Sequence, residues 1–216
     1  MKIPNSLKKI IKKIPLYRYL IWLYYTKIEI PSFYKHELIK NYAARFNLSV
    51  LIETGTFVGY IIDRVRNNFE EIYSIEIDRY LFKKTRNKFK KYPNIHIIRG
   101  DSAEMLPGVL AKIKQPCLFW VDAHCHTAFS GKNISRIDAN IPITKELKRI
   151  LEWWVDGSVI LIDDAKYFIG ELGWPHIKNI KQFVKEKLSD KYIFEVEKDI
   201  IRIYPSKDFT KNLNIK

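Results

Sequence analysis

Short apolar runs alternate with amphipathic segments over most of the chain. An unbroken apolar run of about five residues is typical of a buried strand, whereas apolar residues that recur every three or four positions favour a helix. On these criteria the sequence predicts parallel strands at 49–53, 71–78, 95–99, 117–122 and 158–163. It predicts the intervening helices at 60–67, 81–91, 103–113, 143–154 and 177–188, and a long loop at 123–141.

The alternation of strands and helices predicts the fold class. Continuously apolar strands that alternate with helices favour a parallel sheet covered on both faces. Two further strands, 192–197 and 200–204, are separated by Lys198 and Asp199, and this spacing predicts an antiparallel hairpin. The expected fold is therefore α/β: a Rossmann-like, doubly wound, mostly parallel sheet that ends in a C-terminal antiparallel hairpin. A dehydrogenase with six parallel strands or a five-stranded flavodoxin-like sheet would lack that hairpin.

The predicted elements divide the chain into three parts. A chain of 216 residues is long enough for one well-buried core. Residues 49–205 are predicted to form one catalytic domain, preceded by a basic, partly helical extension at 1–48 and followed by a flexible tail at 206–216. The extension holds ten Lys or Arg against two Glu, so it carries eight of the fourteen net positive charges. Such an excess attracts nucleic acid, anionic lipid or an acidic substrate, and it does not choose among them.

The extension resembles neither a signal peptide nor a membrane span. Its apolar stretch at 14–25 is interrupted by Arg18, lacks a small-residue cleavage site and is too short to cross a bilayer. We therefore expect a cytoplasmic protein, and the two cysteines, which match no disulfide framework, agree with a reducing compartment. Two hypotheses remain open for residues 1–30: peripheral contact with the inner membrane surface, or a lid over the cofactor.

At least one acidic residue stands at or just after the end of every predicted parallel strand. Taken singly, Asp78, Ser102 or Asp164 is explained as a helix cap, but clustered carboxylates repel one another unless something positive binds there. In doubly wound sheets this edge, beyond the carboxyl ends of the strands, is where ligands bind. The residues, taken strand by strand, are Glu53; Glu76 and Asp78; Asp101; Asp122; Asp163 and Asp164.

The loop after the first strand departs from the dinucleotide-binding pattern G-x-G-x-x-G. Thr56 replaces the middle glycine, which normally lets the backbone approach a pyrophosphate, while Gly55 and Gly59 remain for the turn. A cofactor without phosphates suits such a loop. Glu76 follows Glu53 by 23 residues, near the usual spacing of an acid that binds ribose hydroxyls.

Taken together, these residues resemble those of class I S-adenosylmethionine-dependent methyltransferases, over about residues 49–204. The resemblance implies that Glu53 and Gly55 border the methionine part of S-adenosylmethionine, and Thr56 and Gly59 of the same loop are also predicted to bind the cofactor. It also implies that Glu76 accepts hydrogen bonds from the ribose hydroxyls. The motifs that carry the resemblance are 53–55, 74–78, 100–102, 120–124 and 161–164. Asp101, Ser102 and Asp122 complete the predicted cofactor contacts, with the first two at the adenine edge.

The residues after the fourth predicted strand bear on which kind of atom accepts the methyl group. Enzymes that methylate base or amide nitrogens usually have Asp/Asn-Pro-Pro-aromatic there, whereas this chain has Ala123, His124 and Cys125 after Asp122. The set Asp122, Asp163 and Asp164 instead resembles the Mg²⁺ site of O-methyltransferases such as the catechol and macrocin O-methyltransferase families. Hard oxygen ligands suit Mg²⁺, which would lower the pKa of the attacking hydroxyl.

Asp122 and His124 are the predicted catalytic residues, and His124 is the candidate general base. Two alternatives stay open: His124 or His126 caps a loop, or both join Asp122 in a zinc-like site. His36, His96 and His176 are isolated, and we interpret them as structural.

The sequence thus favours an S-adenosylmethionine-dependent O-methyltransferase that acts on a sugar, glycan or other small hydroxylated acceptor with Mg²⁺ assistance. One alternative is an RNA ribose 2′-O-methyltransferase, which uses a Lys-Asp-Lys-Glu set. Asp122, Lys166 and Glu197 would supply three members of that set, but the sequence offers no convincing first lysine. The other alternative is a non-catalytic S-adenosylmethionine-binding module at a membrane.

Overall fold

The computed structural model describes residues 32–122, 142–171 and 173–213, and the predicted loop at 123–141 lies outside them. The helices are α1 Ser32–Arg45, α2 Tyr60–Val65, α3 Arg79–Phe89, α4 Ser102–Leu110, α5 Ile143–Trp153, α6 Ile177–Leu188 and α7 Lys207–Asn212. The strands are β1 Val50–Thr54, β2 Glu71–Glu76, β3 Ile95–Arg99, β4 Leu118–Val121, β5 Val159–Ile162, β6 Tyr192–Glu197 and β7 Ile200–Pro205.

The seven strands form one sheet in the order β3-β2-β1-β4-β5-β7-β6. Strands β1 to β5 are parallel, and β7 runs antiparallel to both β5 and β6. This arrangement confirms the predicted doubly wound sheet with a C-terminal antiparallel hairpin. The strand order reverses between β1 and β4, which places the ligand-binding crevice of such sheets at their carboxyl ends.

Side chains alternate between the two faces of each strand, so the sheet has a core on both sides. On one face Ile52, Phe119 and Ile160 pack in a cluster with apolar residues of α4, α5 and α6. On the other face Leu51 and Trp120 pack in a cluster with residues of α1, α2 and α3. The second face also holds the acidic strand ends described below.

The compact unit that contains the sheet begins at Ser32, whereas the predicted extension runs to residue 48. Helix α1 belongs to the unit that contains the sheet, because one side of it is buried there. The buried residues of α1 are His36, Leu38, Ile39, Tyr42 and Ala43.

The segment that follows β7 is also structured. Residues 207–212 form α7, within the part predicted as a flexible tail, and the ring of Phe209 lies 5.5 Å from that of Tyr192. Among the helices of residues 32–122, 142–171 and 173–213, none has the length and apolar character needed to cross a membrane.

Candidate active site

A row of carboxylates lies along one face of the sheet at its carboxyl edge. Glu53 pairs in register with Ser74 on β2 and with Trp120 on β4, and Trp120 pairs with Leu161 on β5. Because side chains alternate, the residues two positions further along these strands share the face of Glu53. These residues are Glu76, Asp122 and Asp163. Glu53, Glu76, Asp122 and Asp163 therefore lie on the face that α1 covers, with Glu53 one layer deeper than the other three.

Glu53 is buried under this row. Its Oε2 accepts a hydrogen bond of 2.5 Å from the Ser74 hydroxyl, and the Ser74 and Thr56 hydroxyls are 2.6 Å apart. Burial raises the pKa of Glu53 from 4.5 to about 8, and the charge of Glu76 acts in the same direction. A cationic ligand group beside Glu53 would offset this cost and favour its ionised form.

Glu76 ends β2 and is held by the backbone on both sides. Its Oε2 accepts a 2.7 Å hydrogen bond from the N–H of Phe57, and its Oε1 accepts a 2.8 Å bond from the N–H of Asp78. Burial raises its pKa, although these two hydrogen bonds act against the shift. Each carboxylate oxygen has two acceptor positions, so these two bonds leave others for a ligand hydroxyl.

The loop from Gly55 to Gly59 turns tightly beneath Glu76. Gly55 has a φ of 87° and Gly59 a φ of 72°, a conformation that favours glycine. A Cβ at Gly59 would lie 2.4 Å from the Phe89 ring, so this glycine is also required by packing against α3. Thr56 is buried and its hydroxyl faces Ser74, so its side chain is engaged with β2.

Asp78 and Asp101 cap helices. Asp78 accepts hydrogen bonds from the backbone N–H groups of Tyr80 and Leu81 at the start of α3. Asp101 accepts one of 2.9 Å from Ala103 at the start of α4, and Ser102 beside it is buried. The cap explanation therefore holds for both aspartates, and for Asp101 it leaves the second carboxylate oxygen for the predicted adenine contact.

Lysines face the carboxylates that were predicted to hold Mg²⁺. Lys35 of α1 donates from its ammonium group to Oδ2 of Asp163, whose Oδ1 accepts a 2.9 Å hydrogen bond from the Asp164 N–H. The Lys166 ammonium lies 2.9 Å from Oδ1 of Asp164 and 2.7 Å from Oδ2 of Asp199. Two ammonium groups thus contact this end of the acidic row.

The described residues do not fit a Mg²⁺ site. Within ranges 32–122, 142–171 and 173–213, no group of three or more His, Cys, Asp or Glu side chains could hold a metal ion. Burial, followed by the charge of Asp163, raises the pKa of Asp122, and burial raises that of Asp163 despite the opposing effect of Lys35. His124 lies outside the described residues, so its role as general base stays a prediction.

Sequence reasoning missed Lys35, Asp199 and Glu146. Lys35 and Asp199 reach the site from α1 and from the β6–β7 turn, and no local motif marks either residue. Glu146 is fully buried on α5, and its carboxyl oxygens make no hydrogen bond to any residue that the structure describes, although the Ser102 and Thr54 hydroxyls lie near. The sequence contained one indication of Glu146: it occupies a position of α5 where the helical periodicity predicts an apolar residue.

Two of the three other histidines have a polar partner, and the structural interpretation of all three stays a prediction. Nδ1 of His176 caps α6 by accepting from the Lys178 N–H, His96 lies 2.6 Å from a Glu71 oxygen, and His36 is buried on α1.

Solved structures with the same fold are methyltransferases. No protein-family model matches the sequence, and no curated protein does. The O-methyltransferase TomG of Streptomyces achromogenes, solved with S-adenosylmethionine, has a TM-score of 0.59 at 14% identity, over 94% of this chain and 90% of that one. The methyltransferase PaMTH1 of Podospora anserina, bound to S-adenosylhomocysteine, has a TM-score of 0.57 at 15% identity, over 95% and 89%. An O-methyltransferase of Bacillus cereus, with the same ligand, has a TM-score of 0.56 at 11% identity, over 86% and 89%. The chain therefore has the class I methyltransferase fold.

Proposed function

We propose that this protein is an S-adenosylmethionine-dependent O-methyltransferase whose acceptor is a small hydroxylated molecule, with a sugar or glycan as the first candidate. The row of carboxylates at the crevice between β1 and β4 carries the proposal. It offers hydrogen-bond acceptors to an adenosyl ligand on one side and charged groups to the methyl-accepting substrate on the other. The methyltransferases of the same fold, solved with S-adenosylmethionine or its demethylated product, support it.

The cofactor side of the site consists of β1, β2 and the start of α4. Glu53 would accept a hydrogen bond from the ammonium group of the methionine part. This positive charge would lower the free-energy cost of ionising the Glu53 carboxyl group. Glu76 would bind the ribose hydroxyls through the acceptor positions that Phe57 and Asp78 leave open, while those two backbone N–H groups fix its orientation. Asp101 and Ser102 would contact the adenine.

The reaction itself needs a base and a positioned hydroxyl. When bound, S-adenosylmethionine supplies an electrophilic methyl group on a sulfonium. Transfer of that methyl group to an acceptor oxygen would leave the S–CH₃ electron pair on sulfur, and the hydroxyl proton would pass to a base of the protein. Asp122 and His124 are the candidates for that base, and holding the hydroxyl in line contributes much of the rate.

The sequence-based hypothesis also includes assistance of the reaction by Mg²⁺. Asp122, Asp163 and Asp164 would be its ligands, but the lysine contacts of Asp163 and Asp164 do not fit such a site. Divalent-ion binding by the wild type and by lysine variants distinguishes the metal from the lysines.

Cofactor binding is the first test. Titration calorimetry should show that S-adenosylhomocysteine binds and that NADH does not. Glu76→Ala should weaken binding by about 1.5–3 kcal/mol, the usual loss for a hydrogen bond to a charged group. Glu104→Ala, an exposed site on α4, is the matched control and should bind normally. An unchanged affinity in Glu76→Ala would contradict the ribose role.

Methyl transfer is the second test. Radiolabelled S-adenosylmethionine should transfer its methyl group to a member of a panel of catechol, methyl glycosides and polysaccharides. Binding without transfer to any member of this panel or to RNA would instead favour the non-catalytic S-adenosylmethionine-binding module.

An RNA ribose 2′-O-methyltransferase is a second candidate that one observation favours. Lys35 provides at this edge the ammonium group for which the sequence offered no candidate, because it contacts Asp163 and the charge of Asp122 acts on it. Glu197 does not take the fourth position, because it lies 2.6 Å from Nη1 of Arg202, whereas Asp199 contacts Lys166. Label found in the ribose of total RNA, and absent from the small acceptors, would decide for this candidate.

A further inference from the structure

Lys35 occupies an unusual place on α1. It lies in the first turn, where the helix dipole disfavours a positive charge, and that turn contains no acidic residue. The compensation for the lysine therefore comes from outside the helix, and its partner is Asp163 at the end of β5.

The packing of α1 directs Lys35 to the acidic row. Leu38 and Ile39, three and four residues later, are buried against the sheet, so Lys35 lies on the same side of the helix, one turn nearer the carboxyl edge. Its side chain is 24% exposed and that of Asp163 is 2% exposed, so solvent screens this pair far less than a surface pair.

The Lys35 ammonium interacts with more than one carboxylate. It contacts Asp163 directly, and the charges of Asp122 and Asp164 also act on it. A cation in contact with one of these carboxylates and within the field of the other two has the electrostatic role that the sequence predicts for Mg²⁺. The second ammonium, that of Lys166, is shared between Asp164 and Asp199.

We propose that Lys35 is the resident cation of the acceptor side, so that the wild-type protein takes no divalent metal ion between Asp122, Asp163 and Asp164. The inference deepens the proposed function and rests on it. Lys35 is a positioning residue: with the Asp164 N–H it fixes the Asp163 carboxylate and offsets its repulsion with Asp122. Asp122 then remains available to accept a hydrogen bond from the acceptor hydroxyl.

The experiment compares divalent-ion binding in the wild type, in Lys35→Met and in Lys35→Arg. Lys40→Met is the matched control, because Lys40 is on the same helix and pairs with Glu37 at the surface. The metal-free proteins are titrated with Mn²⁺ by calorimetry, and their melting temperatures are measured with Mg²⁺ and with EDTA. The wild type, Lys35→Arg and Lys40→Met should show no stoichiometric Mn²⁺ binding and no Mg²⁺-dependent shift in melting temperature.

Lys35→Met should respond differently, because its carboxylates have lost their cation. At a roughly tenfold excess of Mg²⁺ over its dissociation constant, we expect the melting temperature of this variant to rise by about 3–6 °C. The added substitution Asp163→Asn should abolish that rise. A merely structural lysine would lower the melting temperature without creating a response to Mg²⁺.

Two results would overturn the inference. The first is one Mn²⁺ bound by the wild type and lost in Asp163→Asn, and the second is a folded Lys35→Met with no response to divalent ions. The wild-type titration decides even if Lys35→Met fails to fold. Binding of S-adenosylhomocysteine is measured on the same samples, so failure of the proposed function is recognised separately.

Discussion

Among single residues, we expect Glu146 to have the clearest effect on how stability depends on pH. Burial raises the pKa of its carboxyl group from 4.5 to about 7. The folded protein therefore binds this proton more tightly than the unfolded chain does, so stability is present at low pH and is lost as pH rises from about 4.5 to about 7. The pKa of Glu53 is raised to about 8, so its ionisation also lowers the stability of the folded protein as pH rises.

Replacing Glu146 with Gln should remove its part of this pH dependence. Relative to the wild type, Glu146→Gln should gain on the order of 2–3 kcal/mol in free energy of unfolding between pH 5 and pH 8, because each pKa unit corresponds to about 1.4 kcal/mol. Urea denaturation at the two pH values measures the difference. The control is Glu152→Gln, at an exposed position of α5. Parallel pH profiles for the wild type and Glu146→Gln would contradict the buried titration.

At the scale of elements, two helix caps differ in their predicted ligand contacts. Asp78 and Asp101 both accept backbone hydrogen bonds at a helix start, but only Asp101 is a predicted adenine contact. Replacing either residue with Ala should lower the free energy of unfolding by about 1 kcal/mol. Only Asp101→Ala should also weaken binding of S-adenosylhomocysteine, as measured by calorimetry. Equal affinities for S-adenosylhomocysteine in the two variants would show that Asp101 only caps its helix and does not contact the cofactor.

At the scale of the whole molecule, residues 1–30 bear on where the protein acts. Lys8, Lys9, Lys12 and Lys13 precede a stretch that contains Leu16, Leu20 and Trp22. Basic residues near an anionic surface contribute about 1 kcal/mol each to membrane binding, and the apolar residues would add to it. We predict that the full chain floats with vesicles that contain phosphatidylserine, and that it does so less at high salt.

Charge reversal of those four lysines tests whether the extension is responsible. Changing all four to Glu should abolish flotation. The control reverses four exposed lysines in and just after α3: Lys83, Lys84, Lys90 and Lys91. Flotation that survives the first reversal and is lost in the second would assign the contact to the body of the protein and favour the lid hypothesis for the extension.

Most of the fold could be predicted from the sequence because it depends on local periodicity. The hairpin of β6 and β7 is an example, since two short runs around Lys198 and Asp199 specify their own pairing. Helix α7 was not predicted because its six residues carry too few apolar positions for a pattern, and its stability depends on Phe209 packing against Tyr192.

The sequence by itself determined that carboxylates gather at one edge of the sheet, because parallel strands place their carboxyl ends together and the alternation of side chains selects the face. It also determined that positive charge is needed there. Only the tertiary structure decided which cation the described residues provide. Lys35 and Asp163 are 128 residues apart, and they meet because buried side chains hold α1 on the sheet. Lys166 meets Asp199 across 33 residues for a related reason, the pairing of β7 with β5. Contacts of this kind follow from packing between distant elements, which leaves no periodicity or motif in the chain.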